Sequence, residues 1–186
     1  MVCQVCFEAA SRSLCEGCAR RLRVAKERVL PGGVRLIAAY EHEGPARALI
    51  HNLKYRGNTW YSELVAEKLA GRLPLLPLVP IPRSWSRQIG YGIDPARQIS
   101  LSLGRRMGVP VLDLLKAPLH APRRAGGDHA AAPYPFGLRS RPSTGYLLVD
   151  DVVTTGATVL TAAKALGFDR LALVVAANAA DRCLVQ

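Results

Sequence analysis

The chain has 186 residues, 49% hydrophobic and 21% charged, which suits one packed domain with a small appendage and argues against global disorder. No apolar run reaches the ~20 residues of a spanning helix, the longest (Leu73 to Ile81) holds three prolines, and no basic-then-apolar leader opens the chain. This reading excludes a membrane-inserted protein, a secreted disulfide scaffold and a fibrous repeat, and it expects a cytoplasmic protein. Lys+Arg 25 against Asp+Glu 14 gives a net charge of +11, which favours phosphorylated small molecules or nucleic acid as partners over a merely solvated basic surface.

Four of the five cysteines open the sequence as Cys3-x2-Cys6 and Cys15-x2-Cys18. A two-residue spacer lets both thiolates of a pair face one metal, and four thiolates close a tetrahedral sphere, so the expected ion is structural zinc. Two disulfides or a redox CxxC are the alternatives. The first is disfavoured in a reducing compartment, and the second needs only one pair. Cys183, alone in an apolar tail, reads as a small core residue. Residues Arg20 to Leu30 read as a basic connector. Pro31-Gly32-Gly33 then breaks the chain, which predicts a zinc module and connector over 1–30 and a second domain over 31–186.

Val34 to Tyr40 reads as a strand. Gly44-Pro45 starts a helix with Ala46, Leu49, Ile50 and Leu53 on one face, stopped by Lys54-Tyr55-Arg56-Gly57. Ser62 is the expected cap of a second helix running through Leu73, followed by a strand over Leu75–Ile81. Asp94-Pro95 opens a helix with Ile99, Leu103 and Met107 on one side, and Val109 to Leu112 is the next strand. Leu114 to Pro142, rich in Pro, Gly and Arg, carries no regular period and reads as a lid or disordered segment. Tyr146–Val149, Ala157–Leu166 and Leu171–Ala176 complete a strand, helix, strand rhythm. That rhythm predicts an α/β fold with a mostly parallel sheet flanked by helices. The histidines at 42, 51, 120 and 129 show no metal-ligand spacing and read as surface residues.

The sharpest segment runs from Leu147 to Thr158: an apolar strand, Asp150 and Asp151, then a turn of hydroxyls and glycine opening a helix. Ligands of open α/β sheets bind at that end of the strands, and a helix start favours a phosphate. Thr154, Thr155 and Thr158 add hydroxyl donors, and Gly156 lets the backbone come close. Paired carboxylates beside such a nest suit vicinal ribose hydroxyls with Mg²⁺ nearby. The plainer alternative is a strand–turn–helix whose acids and threonines only cap.

This segment resembles the phosphoribosyl-diphosphate (PRPP) motif of the type I phosphoribosyltransferases. The paired CxxC units, the Leu53-Lys54-Tyr55-Arg56-Gly57 core and Val79-Pro80-Ile81-Pro82, in this order, resemble the competence protein F (ComF) family over nearly the whole chain. The resemblance implies a type I phosphoribosyltransferase-like fold. Asp150 and Asp151 would bind the ribose hydroxyls, while Thr154, Thr155, Gly156, Ala157 and Thr158 would cradle the 5-phosphate. Pro82, Arg83 and Ser84 would lie near the diphosphate, and a solvated surface role is the alternative for Arg83. It further implies Mg-PRPP as ligand, transfer of phosphoribosyl to a nitrogen acceptor, and a role in DNA uptake with single-stranded DNA and competence proteins as partners. A non-catalytic DNA-binding factor is the second reading. Where the family shows Arg-Gly-aromatic-Asn, this chain has Ile89-Gly90-Tyr91-Gly92. Its lid reads Pro122-Arg123-Arg124, whose arginines would either reach diphosphate on closure or belong to a noncatalytic loop.

Overall fold

Three long apolar strands decide the architecture. In the computed structural model, which describes residues 1–85, 89–90, 92–117 and 136–180, they are β2 (Val34–Glu41), β6 (Tyr146–Val153) and β7 (Leu171–Ala179). With β1 (Arg28–Leu30) and β3 (Leu78–Pro80) they form one sheet in the order β1-β2-β7-β6-β3. Only β1 runs antiparallel to its neighbour; the other pairings are parallel. Both faces of such a sheet are covered, so its strands carry apolar side chains on both sides.

Successive residues divide between the two faces. Ile37, Leu147, Val149 and Val175 face α2 (Gly44–Arg56), α3 (Trp60–Leu69) and α4 (Pro95–Met107), meeting Leu53, Val65, Ile99 and Leu103. Leu36, Leu148 and Val174 face α5 (Ala157–Leu166), meeting Val159, Ala162 and Leu166. The predicted α/β class and mostly parallel sheet hold. Among the described residues no helix is long and apolar enough to cross a membrane.

Several boundaries differ from the sequence reading. The Arg20–Leu30 connector ends as β1, paired with β2, and Leu30 is buried in the core. The helix expected from Ser62 begins at Trp60, because Asn58 Oδ1 accepts the Trp60 N–H at 3.2 Å. Ser62 is instead buried inside that helix, bonded to the Thr59 carbonyl and to Ser102 Oγ. The helix stops at Leu69, and Ala70–Arg72 forms a 3-10 turn. Pro74 and Pro77 cut the strand expected over 75–81 to Leu78–Pro80. Val109–Leu112 contributes a parallel bridge from Val111 to Leu78 rather than a full strand.

Strand β6 continues four residues beyond Val149 because Asp150, Val152 and Val153 stay in register with Ala176, Asn178 and Ala179, which carries β7 past Ala176 as well. The expected lid is regular at its ends: β4 (Leu115–Lys116) pairs antiparallel with β5 (Gly137–Leu138). Arg123, Arg124, Tyr91, His120, His129 and Cys183 lie outside the described residues.

Candidate functional site

The segment that delivers the paired acids is held from both sides. Asp150 and Asp151 are residues of β6, flanked by β3 and β7. After Val153 the chain turns through Thr154 and Thr155 to Gly156, whose φ of +79° favours glycine. A side chain there would also approach the buried Leu30 side chain to 3.2 Å. Gly156 serves as the N-cap of α5, whose first turn contains no acid. The N-terminal backbone of that helix therefore keeps its attraction for an anion.

Asp150, Asp151, Thr154 and Thr158 line one cleft with Arg83 and Lys54, a space of about 310 Å³. Thr155, Gly156 and Ala157 border a hollow of about 30 Å³ that shares Asp150, Thr154 and Thr158 with the larger cleft. The acids and the turn thus open into adjoining spaces. Ala157 N–H leans on Thr155 Oγ1 at 3.4 Å, so that hydroxyl is directed at the helix start.

The cleft is electrostatically asymmetric. Lys54 Nζ lies 2.9 Å from Asp151 Oδ1, each side chain about one-fifth exposed (19% and 18%). Among the described residues Asp150 has no such cation. Burial pushes its carboxyl up and the Asp151 charge adds to this, while the Asp151 N–H, 2.8 Å from Asp150 Oδ1, and the Lys54 charge oppose it; the result is about 7. Asp94, the N-cap of α4, also borders the cleft. Burial raises its carboxyl above the ordinary range although the N–H groups of Arg83 (2.9 Å) and Arg97 (3.1 Å) pull the other way.

Arg83 lines this cleft and is held in place. Its guanidinium donates to the carbonyls of Lys54 (3.3 Å) and Ile93 (3.4 Å) and sits 5.5 Å from the Tyr55 ring centroid. Lys54 and Asp94 were missed as site residues. In the sequence Lys54 reads only as part of a basic helix stop, and Asp94 only as a cap. A lysine in the last turn of a helix aimed at a parallel sheet's C-terminal edge was the available signal.

His42 is half-buried rather than a free surface residue. Its Nδ1 meets Asn178 Nδ2 at 3.2 Å, so it accepts, and burial together with the Lys54 and Arg47 charges holds the imidazole below its ordinary range. Asn178 is fully buried. It donates to the Ala46 carbonyl at 3.0 Å and accepts from the Tyr61 hydroxyl, closing a polar network behind the cleft.

The second centre is the cysteine knuckle. The Sγ atoms of Cys3, Cys6, Cys15 and Cys18 all lie within 4.8 Å of one another. Cys6 and Cys15 are 3.7 Å apart, against the ~3.8 Å edge of a tetrahedron with metal–sulfur bonds of about 2.3 Å. Backbone N–H groups of Cys15 and Cys18 reach Cys3 Sγ and Cys15 Sγ at 3.4 Å, and the Arg21 guanidinium reaches Cys18 Sγ at 3.3 Å. Burial raises the Cys3 thiol, but N–H donors from Cys15, Cys6 and Val5 outweigh it and bring it to about 6. Cys6 is lowered by the Glu8 N–H but raised more by burial and three neighbouring sulfurs, to about 12. One thiolate is welcomed there and further ones repel, which is the charge problem a divalent cation solves. These four cysteines are placed to bind a metal ion and are consistent with structural zinc. They form the sole grouping of three or more ligating residues among those described, so the acids of the cleft make no comparable cage for Mg²⁺.

Phe7, just after Cys6, has a φ of +63°, a region that costs a bulky residue about 1–2 kcal/mol. Its ring is 60% exposed and lies 5.8 Å beneath the Arg56 guanidinium. Comparison with protein-family models and with curated proteins gives no match to this chain.

Proposed function

We propose that the chain is a phosphoribosyltransferase-fold protein of the ComF type that binds Mg-PRPP in the β6–α5 cleft. The observation that carries this reading is the opening of the Asp150–Asp151 pair and the threonine-lined start of α5 into adjoining spaces, the larger of them also lined by Arg83. In this reading Asp150 and Asp151 accept hydrogen bonds from the ribose hydroxyls. Thr154, Thr155, Gly156, Ala157 and Thr158 hold the 5-phosphate, and Arg83 faces the diphosphate. The Mg²⁺ would enter as part of the ligand, held chiefly by its diphosphate and water, since the described residues of the cleft offer no cage of their own.

Transfer would break the bond from the anomeric carbon to the diphosphate oxygen and form one to an amine or ring nitrogen. The electron pair leaves with diphosphate, and the proton of the attacking nitrogen passes to water. The residues contribute orientation and charge: Arg83 and the metal offset the leaving group, and the pinned acids fix the ribose. A screen of nitrogenous bases and amines with labelled PRPP tests this. Diphosphate release with one acceptor class supports transfer. Tight PRPP binding with no release from any acceptor would leave a sensor or scaffold and remove the enzyme.

A second reading, a non-catalytic factor binding single-stranded DNA, draws on the zinc knuckle itself. Phe7 presents an exposed ring with a cation over it, a pairing suited to base stacking and phosphate contact. Salt-sensitive gel shifts that vanish in Phe7→Ala, in a protein indifferent to PRPP, would favour it.

A further inference from the structure

The end of α2 sends contacts in two directions from one short stretch. Toward the knuckle, Asn52 Nδ2 donates to the Gln4 carbonyl at 2.8 Å and Asn58 Nδ2 donates to Gln4 Oε1 at 2.6 Å. Arg56 covers the Phe7 ring. Toward the cleft, Lys54 pairs with Asp151, the Tyr55 ring lies under Arg83, and the Lys54 carbonyl accepts from that arginine. Lys54 through Asn58 thus lie between the two centres.

The knuckle side of this arrangement depends on the cysteines. Gln4 sits between Cys3 and Cys6, and Phe7 follows directly, so their positions are set by the loop that the four sulfurs gather. Such a loop holds one shape when a metal ties it and loosens without one. The cleft side depends on α2 ending where it does. Gly57, at φ +66°, closes the helix with its N–H on the Asn52 carbonyl, the same asparagine whose side chain reaches the knuckle.

We propose that Gln4 and Arg56 are positioning residues: the metal-loaded knuckle clamps the last turn of α2, sets Lys54 and Tyr55 against Asp151 and Arg83, and so raises the affinity of the cleft for its sugar-phosphate ligand. The choice of probe rests on the function proposed above, while the clamp itself rests on the contacts of α2. It makes the four-cysteine site a control on the cleft, so that metal loss or thiol oxidation lowers ligand affinity from a distance.

The test is the double variant Gln4→Ala/Arg56→Ala, which spares every cysteine and every cleft side chain. Its zinc content should stay at one per chain, and its melting temperature should stay close to that of the wild type. Its Kd for Mg-PRPP should rise at least fivefold. Gln4→Glu/Arg56→Lys, which keeps an acceptor for Asn58 and a cation over Phe7, should recover affinity to within twofold of wild type. Zinc-stripped wild-type protein, in which the Asn52 bond to the Gln4 main-chain carbonyl is loosened as well, should bind at least as weakly as the double variant. Unchanged affinity in the double variant, or in the stripped protein, overturns the clamp. Should wild-type protein bind no PRPP, the proposed function fails separately, and the clamp is then read by hydrogen exchange. Faster exchange over 52–58 and 150–158 in the double variant upholds it, and identical exchange overturns it.

Discussion

Lys54, in the last turn of one helix, is the counter-ion of Asp151, a residue nearly a hundred positions later on a central strand, with 2.9 Å between Nζ and Oδ1. Among the described residues no cation pairs with the neighbouring Asp150, whose burial and the adjacent Asp151 charge push its carboxyl up to about 7. The two acids therefore differ before any ligand arrives: Asp151 is paired with Lys54, and Asp150 becomes an anion only as the pH rises.

The pH dependence of binding follows from that difference. An ionised carboxylate is the stronger acceptor for a ribose hydroxyl, so affinity for PRPP should climb as Asp150 loses its proton and level off above about pH 8. Lys54→Met removes a charge that helps hold Asp150 ionised. The midpoint should move upward, and stability should fall by about 1–2 kcal/mol through the stranded Asp151. Calorimetric titrations between pH 5.5 and 9 read the first effect, and thermal melts read the second.

Stability should move in the opposite sense at Asp150. Its folded-state value lies above the ordinary carboxyl value, so between about pH 4 and pH 7 the native state binds more protons than the unfolded one. The stability that this group adds is present at low pH and is lost as pH rises through 7. Asp150→Asn should therefore stabilise the protein at pH 8 by about 1–2 kcal/mol while abolishing ligand binding. Denaturant unfolding at pH 5 and pH 8 checks it, the gain being smaller at the lower pH.

At the turn into α5, Gly156→Ala should cost about 1–2 kcal/mol, because alanine at φ +79° is strained and its Cβ presses on Leu30. Phosphate affinity should fall with it. Behind the cleft, Tyr61→Phe should cost about 1–2 kcal/mol by leaving the buried Asn178 Oδ1 without its donor. Equilibrium unfolding of each variant gives the comparison.

For the knuckle, metal analysis should return one zinc per chain, and a chelator should lower the melting temperature. Cys3→Ser should reduce the metal content. Less than half an equivalent in wild-type protein, or unchanged content in Cys3→Ser, would contradict a zinc role.

What the sequence disclosed follows from where the information is local. The cysteine pairs, the Asp94-Pro95 helix start and the acids with their threonine turn are each short patterns whose chemistry is readable residue by residue. The extensions of β6 and β7 were hidden because two aspartates and an asparagine look like strand breakers. Parallel pairing overrides that preference, of β6 with β7 and of β7 with both β6 and β2, and Asn178 finds its partners in Tyr61, Ala46 and His42. Ser62 looked like a cap and is a buried serine bonded to Ser102, forty residues away. Lys54 was legible as a basic residue at a helix end and not as the partner of Asp151, since only the fold brings the two together.

The central claim is that the β6–α5 cleft holds a phosphorylated ribose. It is tested most directly by calorimetric titration of Mg-PRPP into wild-type protein and into Asp150→Asn/Asp151→Asn at pH 8. The account predicts micromolar, magnesium-dependent binding to wild type and none to the variant. No heat of binding in the wild type, or equal affinity in both proteins, would contradict it.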